Sequence, residues 1–279
     1  MATTDSPAPL VIPPPADVGE LLRLLRLPRA GIITDIDGTI APIAATPGAA
    51  RVDQDARRAL MRLIPRLTLV VALTGRRAED GARLVSIPEL PVVGNHGMEM
   101  LAGGTLTTDA DADAFTLHVH RVIERMQTLP IPPGTILEDK GPTASVHYRL
   151  APNQREARAA LFALLEPLAA AEGLWLTEGR ALIEIRPPVP INKGYALRRL
   201  CAAHTLDSVV MFGDDLTDVD AFDALRDLRA IGDIAGLAIG VVAPDGTAPP
   251  SVLASVDAIA TGVTGVAALL TAIADGLGT

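Results

Sequence analysis

Five runs of strand length are apolar almost throughout: GIITD (31–35), LTLVVALTG (67–75), LPVVGNHG (90–97), SVVMFGDD (208–215) and LAIGVV (237–242). Between and after them lie stretches with apolar residues at helical spacing, among them RVDQDARRALMRLIPRL (51–67), AEDGARLVSIP (78–88), DVDAFDALRDL (218–228) and GVAALLTAIADGL (265–277). A strand that is apolar on both faces is buried on both faces, and strand–helix–strand alternation implies parallel pairing through a helical crossover. The pattern predicts an α/β fold with a doubly wound, Rossmann-like parallel sheet.

The middle of the chain departs from this style. From 108 to 187 the order reads helix, strand, strand, helix, strand, strand, with DADAFTLHVHRVIERMQTL as the first helix. ASVHYRL (144–150) alternates with period two, as a strand with one wet face does. LWLTEGR and ALIEIRPP (174–188) read as a hairpin. This predicts a smaller α+β cap domain at 108–187, inserted into a core of 17–107 plus 188–279, with 1–16 as a flexible leader. A chain of 279 residues is expected to divide into two domains.

Composition narrows the function classes. The net charge of −9 argues against a nucleic-acid or anionic-membrane partner, since phosphate backbones need a basic surface. A small phosphorylated substrate needs only a local cationic pocket. The one cysteine, Cys201, excludes an internal disulfide and reads as a small buried apolar residue. No basic, apolar signal segment opens the chain, and the apolar stretch near the C-terminus is too short to span a bilayer. These features predict a soluble cytoplasmic protein. No Cys/His cluster has zinc spacing, and AGGT (102–105) lacks the lysine of a phosphate-cradling loop, so it marks a hinge or a hairpin turn.

Ligands of open α/β sheets bind beyond the carboxyl ends of the strands. Here those ends carry Asp35 and Asp37, Thr74, and Asp214 and Asp215, while Lys193 begins the helix before SVVMFG. A strand-end aspartate is by itself more often a turn former or helix cap than a catalyst. Together they suit a hard cation. Mg²⁺ takes oxygen ligands and relieves the repulsion of clustered carboxylates. Asp35 and Asp214 can supply side-chain oxygens, Asp37 its backbone carbonyl, and Asp218 can hold a metal-bound water. A carboxylate can also attack phosphorus, which assigns attack to Asp35 and proton traffic to Asp37. Lys193, Thr74 and the turn N–H groups around Gly38 and Gly75 can neutralise and hold the phosphoryl oxygens.

In the inserted segment, Glu138 and Lys140 lie two apart, as do Glu184 and Arg186. Each pair shares a face if its strand is regular. Such a face can line a polyol pocket through charge-assisted hydrogen bonds, or it can form cross-strand ion pairs without a ligand. His96 sits at a strand end, where a role in the turn and a contact to substrate both remain open.

DIDGT, Thr74-Gly75-Arg76, Lys193 and GDDLTD resemble, in order and spacing, the four motifs of haloacid-dehalogenase-like phosphohydrolases. With LTGR, GNHGME, LEDK, HYR, EIRP and NKG, the chain resembles trehalose-6-phosphate phosphatases over roughly residues 30 to 275. The resemblance implies an Mg²⁺-dependent trehalose-phosphatase working through an aspartyl-phosphate, with coupling to a trehalose-phosphate synthase as a functional partner. It makes Asp35 the nucleophile and, with Asp37 and Asp214, a metal ligand. It makes Thr74 and Lys193 phosphate contacts, and Glu138, Lys140, Glu184, Arg186 and Arg149 contacts to the sugar. Another sugar phosphate, of sucrose or glycosylglycerate type, and a non-catalytic sugar-sensing role are the competing readings.

Overall fold

The computed structural model describes residues 12–44, 46–179 and 181–278. In chain order the elements are α1 (Val18–Leu25), β1 (Ala30–Thr34), α2 (Gln54–Leu63), β2 (Leu69–Leu73), α3 (Ala78–Val85), β3 (Val92–Gly94), β4 (Glu99–Ala102) and β5 (Thr105–Thr108). There follow α4 (Ala110–Asp113), α5 (Thr116–Gln127), β6 (Ile136–Asp139), β7 (Ala144–His147), α6 (Gln154–Ala171), β8 (Trp175–Gly179) and β9 (Leu182–Arg186). The chain closes with α7 (Lys193–Ala203), β10 (Ser208–Gly213), α8 (Leu216–Ala230), β11 (Ala235–Val242), α9 (Pro250–Ser255), β12 (Ala258–Thr261) and α10 (Gly262–Gly276).

Two sheets form. One has the order β12-β11-β10-β1-β2-β3-β4-β5, and the other the order β6-β7-β9-β8. In the larger sheet β1 pairs parallel with β10, β10 with β11, β11 with β12, and β2 with β3. Every residue of β1, β2 and β10 is buried, as their continuous apolar sequences require. The β3–β4–β5 edge is antiparallel. AGGT proves to be the hairpin turn between β4 and β5, with Gly103 and Gly104 both at positive φ. The smaller sheet is antiparallel throughout.

The described chain divides into two compact units. One comprises the residues through Pro42, Val52–Val71 and those from Leu197 on; the other comprises Ile43–Arg51 and Ala72–Ala196. In the first unit α2 packs on α10 and α8 on α9. In the second, α5 and α6 cover one face of the small sheet, burying Val122, Met126, Leu161, Val146, Ile183 and Ile185 among others.

Two expectations change. Residues 1–11 of the expected leader lie outside the described residues, but Pro14 to Ala16 are paired to β12 rather than free. Ile259 N–H donates to the Pro14 carbonyl and Ala16 N–H to the Ile259 carbonyl, both at 2.9 Å. Pro15 is tolerated there because this pairing uses only its neighbours' groups, so its missing N–H costs no bond. The helix expected over 111–129 is two helices, α4 and α5, interrupted at Ala114 and Phe115.

Candidate active site

In the first unit the register of the parallel strands decides which acids meet. Thr34 of β1 stands opposite Phe212 of β10, so Asp35 leaves one strand beside the Gly213-Asp214 end of the other. Asp35 N–H donates to the Phe212 carbonyl at 2.9 Å, which extends the ladder by one residue. The chain then turns within Ile36–Ala41. The N–H groups of Ile40 and Ala41 return to the Ile36 carbonyl, and Gly38 N–H donates to Ala41 at 2.7 Å. Asp37 lies half-buried in this turn.

Gly38 has φ +87°, and a methyl group there would sit 2.1 Å from Asp214 Oδ2. Only glycine both accepts that backbone and lets the turn lie against the carboxylate. Thr39 donates its hydroxyl to Asp214 Oδ1 at 3.3 Å.

Asp214 and Asp215 have different fates. Asp215 is the N-cap of α8, accepting from Thr217 N–H at 2.9 Å and from the Thr217 hydroxyl at 2.7 Å. It is therefore the helix cap that a strand-end aspartate often is. Asp218 folds back so that its Oδ2 accepts from the N–H groups of Asp214 (2.9 Å) and Asp215 (3.1 Å).

The result is a cluster of Asp35, Asp214 and Asp218, all buried, with one carboxylate oxygen of each within 4.8 Å of the others. At that spacing two unit charges repel by roughly 3 kcal/mol at an effective dielectric of about 20. Three hard oxygen donors with little water access fit a small divalent cation of the magnesium type, whose charge offsets that repulsion.

In the second unit, Thr74 closes β2, its N–H bonded to Val93 at 2.9 Å and its hydroxyl accepting from Arg76 N–H at 3.2 Å. Gly75 follows. A methyl group there would fall 2.5 Å from the His96 ring, so the ring occupies the space over that turn. His96 is itself buried at φ +58°, its N–H bonded to the Thr74 carbonyl at 3.0 Å. Lys193 is also buried, at the first residue of α7, where the Asn192 side chain accepts from Tyr195 N–H at 2.9 Å.

The small sheet settles the two-residue spacings. Its register sets Glu138 opposite Ser145, Ser145 opposite Glu184, and Glu184 opposite Thr177. Successive side chains alternate, so these residues share the face away from the α5/α6 core, along with His147 and Arg186. Lys140 lies just past β6, and its ammonium donates to the Gly75 carbonyl at 2.8 Å and to Glu184 Oε1 at 3.3 Å. Glu184 also meets His96 Nε2 at 3.3 Å and Arg186 Nε at 3.9 Å.

Burial alone would raise the Glu184 pKa, but the charges of His96, Lys140 and Arg186 outweigh it and hold the carboxyl well below its usual range. Glu138 shows the same balance more mildly: burial is outweighed by a 2.8 Å hydrogen bond with His147 Nε2 and by the charge of Lys140. The charged side chains of this face thus meet one another, Lys140 and His96 at Glu184 and His147 at Glu138. Arg186 donates to the Ile191 carbonyl at 2.8 Å, and Arg149 to the Ala44 carbonyl.

Thr39, Asn95 and His147 lie within the quoted motifs DIDGT, GNHGME and HYR without an individual role assigned from sequence, and Ser145 lies outside them. Ser145 and His147 were findable from the period-two alternation of ASVHYRL, which puts them on the wet face. The Ser145 hydroxyl is buried there with no hydrogen-bond partner among the described residues. Nothing in the sequence reveals the side-chain contacts of Thr39 or Asn95, whose partners are far along the chain.

Residues 33–248 match the sequence profile of the trehalose-phosphatase family. The chain belongs to that family. A trehalose-phosphate phosphatase of Mycobacterium marinum is 32% identical over 209 residues, covering 72% of this chain and 53% of that protein. The Mycobacterium avium protein of the same name is 34% identical over 203 residues, 70% of this chain and 51% of the relative. The chain thus spans about half the length of the curated relatives it matches. In three dimensions, the C-terminal domain of C. albicans trehalose-6-phosphate phosphatase aligns with a TM-score of 0.75 at 21% identity, over 94% of this chain and 98% of that one. That likeness speaks to the fold. Among the described residues, no helix is long and apolar enough to cross a membrane.

Proposed function

We propose that this chain hydrolyses trehalose 6-phosphate to trehalose and inorganic phosphate, with Mg²⁺ as cofactor and an aspartyl-phosphate intermediate. The observation that supports this most is the buried Asp35–Asp214–Asp218 cluster beyond the ends of β1 and β10. A carboxylate oxygen of Asp35 attacks phosphorus, and the bond between phosphorus and the sugar oxygen breaks. Asp37 gives its proton to that leaving oxygen. Asp37 then takes a proton from water as the water attacks the same phosphorus, which releases phosphate and restores the Asp35 carboxylate.

Asp35, Asp214 and the Asp37 carbonyl are the groups assigned to hold the cation, with Asp218 bracing them through the backbone of Asp214. When bound there, Mg²⁺ supplies positive charge against that of the phosphoryl group. Thr74, Lys193, Arg76 and the N–H groups at Gly38 and Gly75 are assigned to the phosphoryl oxygens. Glu138, Lys140, Glu184, Arg186, Arg149 and His96 are assigned to the sugar, and the unpartnered Ser145 hydroxyl joins them. In this reading residues 108–187 are the sugar-selecting cap domain, the enzyme works in the cytoplasm, and a trehalose-phosphate synthase supplies its substrate.

Phosphate release from a panel of sugar phosphates, with and without Mg²⁺ and a chelator, tests the proposal. Trehalose 6-phosphate is expected to be turned over best, and only with the metal. Asp35→Asn is expected to abolish turnover while the thermal midpoint stays near that of the wild type. Equal turnover of unrelated monosaccharide phosphates would remove the trehalose assignment, and Mg²⁺-dependent activity in Asp35→Asn would remove the nucleophile.

A further inference from the structure

Asn95 is wholly buried, with φ +46°. Asparagine is one of the few residues besides glycine that enters this left-handed region readily. Both ends of its carboxamide are used. Nδ2 donates to the Lys140 carbonyl at 3.0 Å, and Oδ1 accepts from the Thr143 hydroxyl at 3.1 Å. Lys140 and Thr143 are the two ends of the turn between β6 and β7, closed by Lys140 N–H donating to the Thr143 carbonyl at 3.0 Å. The Asn95 backbone N–H goes elsewhere, to the Arg76 carbonyl at 2.7 Å. One residue therefore ties the turn that ends β2 to the turn that carries Lys140. The Lys140 ammonium completes the ring by reaching back to the Gly75 carbonyl and across to Glu184.

We infer that Asn95 is a positioning residue for sugar selection: its carboxamide holds the Lys140 turn against the Thr74–Arg76 turn, and so fixes where Lys140 and Glu184 meet the sugar of a phosphate ester held at that turn. This rests on the proposed function, which gives those two turns their ligands. The chemistry of the position is restrictive. Aspartate accepts from Thr143 but cannot donate to the Lys140 carbonyl, serine is too short to span both, and glycine keeps the backbone but makes neither bond. Thr143 is fully buried, so water cannot replace a lost partner there.

The test compares trehalose 6-phosphate with p-nitrophenyl phosphate, which carries the phosphate but no sugar hydroxyls. Asn95→Gly preserves the left-handed backbone and removes only the carboxamide. It is expected to lower the ratio of kcat/KM for the disaccharide phosphate to that for the aryl phosphate by about tenfold, mainly through KM. Thr143→Val, which removes one of the two bonds, is expected to move the ratio in the same direction by less. In a Lys140→Ala background, adding Asn95→Gly is expected to change the ratio by less than about twofold, because the residue acts through Lys140. Equal losses on both substrates would reduce Asn95 to a structural stitch and overturn the inference. So would a ratio effect that persists undiminished without the Lys140 side chain. If the wild type hydrolyses the aryl phosphate and some other sugar phosphate but not trehalose 6-phosphate, the proposed substrate fails; the Asn95→Gly ratio taken with that other sugar phosphate still decides the positioning role.

Discussion

Replacing Gly38 by alanine adds one methyl group at the point where the β1 turn meets Asp214. Two costs follow, and they are separable. At φ +87° a residue with a Cβ is strained by about 1–2 kcal/mol. The methyl would also stand 2.1 Å from Oδ2, 2.3 Å from Cγ and 2.5 Å from Oδ1 of Asp214. Those distances are about 1 Å inside ordinary contact, so either the turn lifts or the carboxylate swings away. A displacement of that size at a reacting centre lowers turnover by about 100-fold.

Gly246 supplies the control. It has φ +84°, and a methyl group placed there would meet nothing within 4 Å, so Gly246→Ala carries the backbone cost alone. Thermal unfolding and steady-state phosphate release on both variants separate the effects. Gly246→Ala should lower the thermal midpoint by roughly 2–8 °C, and Gly38→Ala by more because it adds the clash. Only Gly38→Ala should lose about 100-fold in kcat and require more Mg²⁺ for half-maximal rate. A Gly38→Ala protein with kcat and metal dependence near those of the wild type would refute the argument that this turn fixes Asp214.

Two further expectations concern ionisation. The Glu184 carboxyl ionises below its ordinary 4.5 because His96, Lys140 and Arg186 outweigh its burial, so its contribution to stability is present above about pH 4.5 and is lost as pH falls toward the folded value. Urea unfolding of wild type and Glu184→Gln should then differ more at about pH 7 than at about pH 3.5, and an equal difference at both would contradict the ion-pair account. Cys201 is buried, which pushes its thiol up to about 12. A thiol reagent at neutral pH should label the native protein very slowly and the urea-unfolded protein rapidly, and prompt labelling of the native state would place Cys201 elsewhere.

The large sheet was readable because its signal is local. GII, LVVAL and VVMF are apolar at every position, as a strand buried on both faces requires. The small sheet was readable from the complementary signal, the period-two alternation of ASVHYRL, which also assigns Ser145 and His147 to the polar face. The β3–β4–β5 edge was less legible. TLTT is short and polar, and only its pairing with β4 makes it a strand.

Residue types at strand ends restricted the candidates to a handful of acids, a threonine and a lysine, because their joint occurrence at the ends of one sheet points to a ligand where any one of them alone would be a turn former or cap. From sequence Asp214 is named as a ligand, but residue chemistry along the chain gives no reason to prefer it over Asp215. Asp214 and Asp215 are adjacent and chemically identical, yet Asp214 joins the buried cluster while Asp215 caps α8. That difference arises from the direction in which α8 departs just after Asp215, which is local, and from the parallel register of β1 against β10, a relation between segments almost 180 residues apart. Asn95 is the same case: its identity suits a left-handed backbone, but its partners at Lys140 and Thr143 lie more than forty residues away. Periodicity and residue chemistry along the chain suffice to name the elements and the reactive groups, because each depends on near neighbours; which groups share a site depends on long-range register, and that exists only once the chain is folded.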